Sequence, residues 1–197
     1  MWTERTELKS PEIFGVDAAQ LCCRIAALQG ASNGAIQALL ADHARRAAAQ
    51  GYKIAGAVEI ATEGSGGACG RRFMRDLSTG AITSISQNLG VGSTACNLDP
   101  SGLIEVCASV ERAIARGADL VILSKFGKVE ADRGGLSGAF RAAIGAGLPI
   151  LTAVSPSMSE AWHRFAGSLA GFIPVDADSI DAWWSTVRTE MLLPVCG

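Results

Sequence analysis

The chain has 197 residues, of which 49% are hydrophobic and 18% charged, with a formal net charge of −2. That length suits one domain with a real core, and the composition excludes a disordered chain. The weak net charge and the lack of a dense basic run argue against nucleic acid as a partner. No run approaches the roughly 18–20 apolar residues of a membrane-spanning helix, so no membrane role is expected.

The opening stretch MWTERTELKSPEIFGVD is charged and lacks the apolar core of a signal peptide, so a cytoplasmic protein is expected. Residues 1–18 read as an extension and 19–197 as a single α/β domain. The six cysteines (Cys22, Cys23, Cys69, Cys96, Cys107 and Cys196) are scattered and read as free thiols. With no CxxC pair and only His43 and His163, the chain lacks a zinc site of standard spacing.

In chain order, LCCRIAAL (21–28) reads as a buried strand and AIQALLADHARRAAAQ (35–50) as an alanine-rich helix. His43, beside Arg45 and Arg46, is expected on the solvated face of that helix. YKIAGAVEI (52–60) is a second strand, completing a βαβ unit. A glycine-rich loop, ATEGSGGACGRR, follows; Arg71 and Arg72 in it suit an oxyanion clamp or a plain surface loop. Alternation on either side of Ser78-Thr79-Gly80 predicts a β-hairpin. Ser86, Gln87 and Asn88 end the hairpin, and Gly90, Gly92 and Ser93 beyond them supply backbone that can form an anion-binding nest; Ser86, Gln87, Ser93 and Cys96 are read as ligand-binding candidates.

Asp99 and Pro100 are the cap and first residue of the next helix, PSGLIEVCASVERAIARG. Cys96, three residues before the cap, reads as an acidified thiol or as a small buried residue. A strand at 119–124 precedes the polar loop KFGKVEADRGG, then helix LSGAFRAAIGAG and strand LPILTAV. Ser157 and Glu160 have capping-box spacing ahead of the next helix. LAGFIPV is the last strand and DSIDAWWSTVRTEML the closing helix. Trp162, Phe165, Trp183 and Trp184 suit a core or a subunit interface, so a homo-oligomer is expected. Strands alternating with helices indicate a three-layer α/β sandwich with a mainly parallel sheet and an inserted hairpin.

The loop between the first strand and first helix stands where phosphate-binding loops stand, because helix N-termini expose N–H groups to anions. The P-loop pattern GxxxxGK[ST] places Gln29 at its first glycine, Gly34 at its last, Ala35 at the lysine and Ile36 at the hydroxyl. The groups that handle triphosphate and magnesium are both missing. Ser32, Asn33, Gly34 and Ala35 therefore read either as an ordinary helix start or as a backbone site for a small anion.

SISQNLGVGSTACNLDPSGLIE, LVILSKFGKVEADRGGL and GLPILTAV, in this order, resemble the bacterial family called domain of unknown function 2478. The likeness covers roughly residues 21–185, with Ser124 where the family usually carries Asn. That family is in turn similar to the THEP-type nucleoside triphosphatases, which implies a P-loop NTPase fold with degenerate Walker motifs. In register with their Asp-Glu-x-Gly-x-Met-Glu segment, this chain has Ser124-Lys125-Phe126-Gly127-Lys128-Val129-Glu130. The resemblance thus implies that a metal-holding carboxylate pair has become Ser124 and Lys125.

A lysine can neutralise an anion as a point charge without a metal ion. Lys125 and Lys128, with Ser124, Glu130 and the first-helix start, are expected to hold a small anionic ligand: phosphate or, from the family's loose association with molybdenum transport, molybdate or tungstate. The alternative for Lys125 is pairing with Glu130 or Asp132 to order the loop. The leading expectation is an oxyanion-binding protein without NTP hydrolysis, with no cofactor required. A phosphoester hydrolase using Glu130 as base and a partner-docking protein are the other two readings.

Overall fold

The computed structural model describes residues 23–60, 71–87 and 98–192. The strands are β1 (Ile25–Leu28), β2 (Ile54–Ile60), β3 (Phe73–Asp76), β4 (Ile82–Ser84), β5 (Leu120–Phe126), β6 (Ile150–Val154) and β7 (Ala170–Ile173). Between and after them run α1 (Asn33–Ala49), α2 (Pro100–Ala115), the one-turn α3 (Lys128–Ala131), α4 (Ser137–Gly145), α5 (Ser159–Ala166) and α6 (Ala177–Leu192). The predicted extension at 1–18 lies outside the described residues, as does 61–70 of the glycine-rich loop.

The strands form one sheet in the order β4-β3-β2-β5-β6-β1-β7. β2, β5, β6, β1 and β7 are parallel, and the expected hairpin β3–β4 adds an antiparallel edge through β2. The parallel strands are apolar on both sides, and helices cover both. Ile36, Leu40 and Ala47 of α1 pack with Ile180, Trp183 and Val187 of α6 on one face. Val106 of α2, Phe140 of α4 and Trp162 of α5 cover the other. This is the expected three-layer α/β arrangement. Each large side chain buried in these layers contributes about 1.5–3 kcal/mol relative to exposure.

Alanines dominate α1 because its inner face lies flat on the sheet, and Ser32 caps it by accepting from the Ala35 N–H at 3.3 Å. Asp99 caps α2 as expected, accepting from Ser101 N–H, with Pro100 in the first position. Trp162, Trp183 and Trp184 are all core residues. Gly56, in mid-β2 with φ +134°, fits because a Cβ there would lie 1.8 Å from the Ile122 carbonyl oxygen of β5.

Three local expectations are corrected. His43 is 2% exposed rather than on the solvated face. Position 43 falls seven residues after Ile36, on the buried stripe, and Asp181 of α6 meets its Nδ1 at 3.0 Å. Ser157 does not cap α5: Pro156 starts a 3₁₀ turn, α5 begins at Ser159 without a side-chain cap, and Glu160 pairs instead with Arg164. Strand β5 runs to Phe126, two residues past the predicted end, so Lys125 and Phe126 belong to the strand and not to the loop after it.

Candidate functional site

The site is built where the carboxyl ends of β2 and β5 separate. Their register runs from Ile54↔Leu120 to Ala57↔Leu123. Beyond that point the Gln37 side chain of α1 enters the split. Its amide nitrogen donates to the Ser124 carbonyl at 2.7 Å, and its oxygen accepts from the Glu59 N–H at 2.8 Å. One amide thus satisfies a backbone acceptor and a backbone donor that the sheet leaves open.

On the other side of β5 the ladder with β6 slips. Leu123 pairs with Thr152 and Phe126 with Val154, so β5 carries one residue more than its partner, a β-bulge at Ser124–Lys125. Strict alternation would put Leu123 and Phe126 on opposite faces; with the bulge both join the α2/α4/α5 layer. Phe126 is anchored there against Trp162 and Phe165 at 5.1 Å and Phe140 at 5.9 Å between ring centres.

Lys125 reaches toward β2. Its Nζ lies 3.0 Å from Glu59 Oε1, which also accepts from Arg72 Nη2 at 2.6 Å. The second oxygen, Glu59 Oε2, accepts from Asn33 Nδ2 at 3.0 Å. Glu59 is only 12% exposed. Burial alone would raise its pKa, but the Arg72 hydrogen bond and the Lys125 charge outweigh that and hold the carboxyl below its ordinary range. Two cations and one carboxylate leave a net positive charge.

Glu130 has a different task. It is buried, and its two oxygens accept from the Gly127 N–H at 3.0 Å and the Leu136 N–H at 3.1 Å. It thereby closes residues 127–136 into one loop in which Arg133 and Gly135 take left-handed φ values of 64° and 54°. Lys125 pairs with neither Glu130 nor Asp132. Lys128, exposed on α3, makes no ion pair among the described residues.

These groups surround a cavity of ≈ 390 Å³ on the α2/α4/α5 side of the sheet. Arg72, Glu59, Ser124, Lys125, Lys128 and Glu130 line its polar part; Ser155 and Ser157 close it beyond β6. Much of the remaining wall is apolar, from Met74, Ile85, Leu98 and Leu103 on the hairpin and α2 side and from Val129 and Leu136 beside the lysines. Cations converging on a concave, partly apolar site can hold an anion and fix its orientation.

The structure brings together four of the residues picked from sequence, namely Ser124, Lys125, Lys128 and Glu130. Ser32, Asn33, Gly34 and Ala35 are exposed at the start of α1 and reach the cavity only through the Asn33–Glu59 hydrogen bond. Ser86 touches it indirectly, its Oγ accepting from the Arg72 N–H at 3.1 Å, while Gln87 is exposed. Ser93 and Cys96 lie outside the described residues. Gln29, at the first P-loop position, donates to the Val154 carbonyl and the Ser159 hydroxyl, tying β1 to the α5 start.

Glu59 and Gln37 are the residues that sequence reasoning missed. The signal for Glu59 is a lone carboxylate at the carboxyl end of an apolar strand, where α/β sheets place ligand-facing groups. Gln37 carries no such signal, being one more polar residue in a helix.

The chain is similar to the molybdenum import ATP-binding protein ModC 2 of Bradyrhizobium diazoefficiens, at 38% identity over 169 residues. That alignment takes in 85% of this chain but only 19% of the relative, so this chain spans about a fifth of that protein's length. No solved structure matches it. The family model described as "Protein of unknown function (DUF2478)" matches residues 25–183, every strand of the sheet included. By that match the chain belongs to the DUF2478 family.

Proposed function

We propose that this protein binds a small oxyanion or phosphate-bearing ligand in the cavity at the ends of β2 and β5, without hydrolysing nucleoside triphosphates. The observation that carries the reading is the convergence of Arg72, Lys125 and Lys128 on one cavity with two carboxylates, Glu59 held by Arg72 and Lys125 and Glu130 turned to the Gly127 and Leu136 N–H groups. No carboxylate pair stands at the end of β5, where Ser124 and Lys125 are, and Ala35 and Ile36 occupy the lysine and hydroxyl positions of a P-loop. We further read the scaffold as a P-loop type that has lost both groups, an assignment supported by the β1–α1 loop and by the relative named as ATP-binding.

Among tetrahedral oxyanions, molybdate and tungstate are favoured by the name of that relative, a molybdenum import protein. Titration calorimetry of the purified protein with molybdate, tungstate and phosphate tests the reading. Saturable binding that is lost in Lys125→Met is expected; turnover of ATP or GTP that is abolished in Lys125→Met would overturn it. Magnesium-ATP belongs in the same titration series, because similarity to an ATP-binding protein favours a nucleotide as the second reading.

A further inference from the structure

We propose, on the basis of the anion-binding reading above, that the preferred ligand of this cavity is an organic anion with a flat or apolar body, bound more tightly than any free oxyanion. A volume of ≈ 390 Å³ has room for about thirteen waters at roughly 30 Å³ each. A tetrahedral oxyanion displaces only a few of them, and the volume falls within the range of about 300–1,000 Å³ found for pockets that enclose drug-sized molecules.

The wall also combines charge with a large apolar surface, to which Val129 and Leu136 contribute beside the lysines. β5 and the α3 start supply Lys125 and Lys128, with Arg72 of the hairpin beside them. The hairpin interior and the approach to α2 supply Met74, Ile85, Leu98 and Leu103, four side chains with no hydrogen-bonding group. A water held against that apolar side finds few of the two to four polar partners it needs. A bare oxyanion gains nothing from it, whereas an aromatic or aliphatic body covers it and releases the water.

Glu59 strengthens the argument. Its carboxylate already engages Arg72 and Lys125, so an incoming anion has to compete for those donors. A ligand that also fills the apolar half competes with an added source of affinity, and its anionic group supplies orientation. The ligand class is therefore an organic phosphate or similar oxyanion ester, with a body the size of one or two fused rings.

The test titrates the full chain with 1-naphthyl phosphate, inorganic phosphate, molybdate and 1-naphthol, each also against Lys125→Met. Expected is 1-naphthyl phosphate binding at least tenfold more tightly than either inorganic ion, with that advantage reduced at least tenfold in the variant. A margin below tenfold, with phosphate or molybdate still binding, overturns the organic-ligand proposal and leaves the anion reading standing. Binding of 1-naphthol as tight as that of 1-naphthyl phosphate, and indifferent to Lys125→Met, overturns both. Absence of binding by all four probes does the same.

Discussion

Gln37 of α1 and Glu59 of β2 are joined at 2.8 Å, side-chain oxygen to backbone N–H, at the place where the parallel sheet opens. The same glutamine donates to the Ser124 carbonyl, so it is both a plug for the sheet and a support under the cation cluster. Gln37→Leu keeps the volume but leaves one backbone donor and one acceptor unpaired in a buried place. The expected loss is about 2–6 kcal/mol of stability, at about 1–3 kcal/mol per unsatisfied group. Urea denaturation measures it, and a loss under 0.5 kcal/mol would show that water replaces the amide without difficulty.

Glu59 competes with any bound anion for Arg72 and Lys125. Glu59→Gln removes the competing charge while keeping the shape, so phosphate or molybdate affinity should rise, by roughly tenfold if one charge-assisted hydrogen bond is freed. Lys125→Met should lower it. Calorimetric titration of both variants separates this view from one in which Glu59 itself contacts a cationic ligand, since the two effects would then exchange signs.

Asp76 closes the hairpin. It accepts from the Ser78 and Thr79 N–H groups and from the Ser78 and Ser109 hydroxyls, tying the turn to α2. Burial alone would raise its pKa, but the hydrogen bonds from Ser109, Ser78 and Thr79 prevail and hold it below 3.8. The unfolded chain therefore binds more protons near pH 4, and stability falls as pH drops through that region. Asp76→Ala should cost about 1–3 kcal/mol at pH 7, read by urea denaturation, and less near pH 3.

His43 predicts a pH effect in a separate window. Burial lowers its pKa from 6.5, and the hydrogen bond the ring donates to Asp181 restores only part of the loss; Arg46 lowers it further and Asp42 raises it. With the folded value below the unfolded one, stability is full above pH 6.5 and declines as pH falls below it. Thermal melts of the parent chain between pH 7.5 and 5.5 should show that decline, and His43→Gln should flatten it. A parent slope matched by the variant would locate the titration elsewhere.

Gly135 gives the loop its fit. At φ 54°, a Cβ on it would lie 2.2 Å from Glu130 Oε1, the oxygen that accepts from Leu136. Gly135→Ala should displace that carboxylate and loosen residues 127–136, weakening phosphate binding several-fold. Amide hydrogen exchange at Gly127 and Leu136 provides the readout; unchanged protection would mean that the loop is held without Glu130.

Much of this fold can be read from residue order. Apolar runs without alternation announce strands covered on both sides, and β2, β5 and β6 form where those runs lie. Ser78-Thr79-Gly80 and Asp99-Pro100 mark a turn and a helix start by backbone chemistry alone. The candidate site was half legible. Lys125 and Lys128 stand out because a lysine replaces an expected carboxylate, but the partner of Lys125, Glu59, is 66 residues away in sequence and meets it only through sheet pairing. The start of α1 drew attention as a phosphate loop, yet the cavity opens on the opposite layer, a choice set by tertiary packing. His43 was misplaced for the same reason: its burial depends on α6, which supplies Asp181 and Trp184.

The bulge at Ser124–Lys125 carries a consequence for variation in this strand. Because it resets the in–out parity of β5, the bulged Lys125 and Phe126 just after it answer to different constraints. Lys125 serves the ligand side, while Phe126 keeps the aromatic lock with Trp162 and Phe165. A one-residue deletion there would force the strand to give up one of them, trading chemistry against anchorage. Substitution at Ser124 or Lys125 leaves that parity alone, so the ligand preference of this strand can drift by point changes while its length is held fixed.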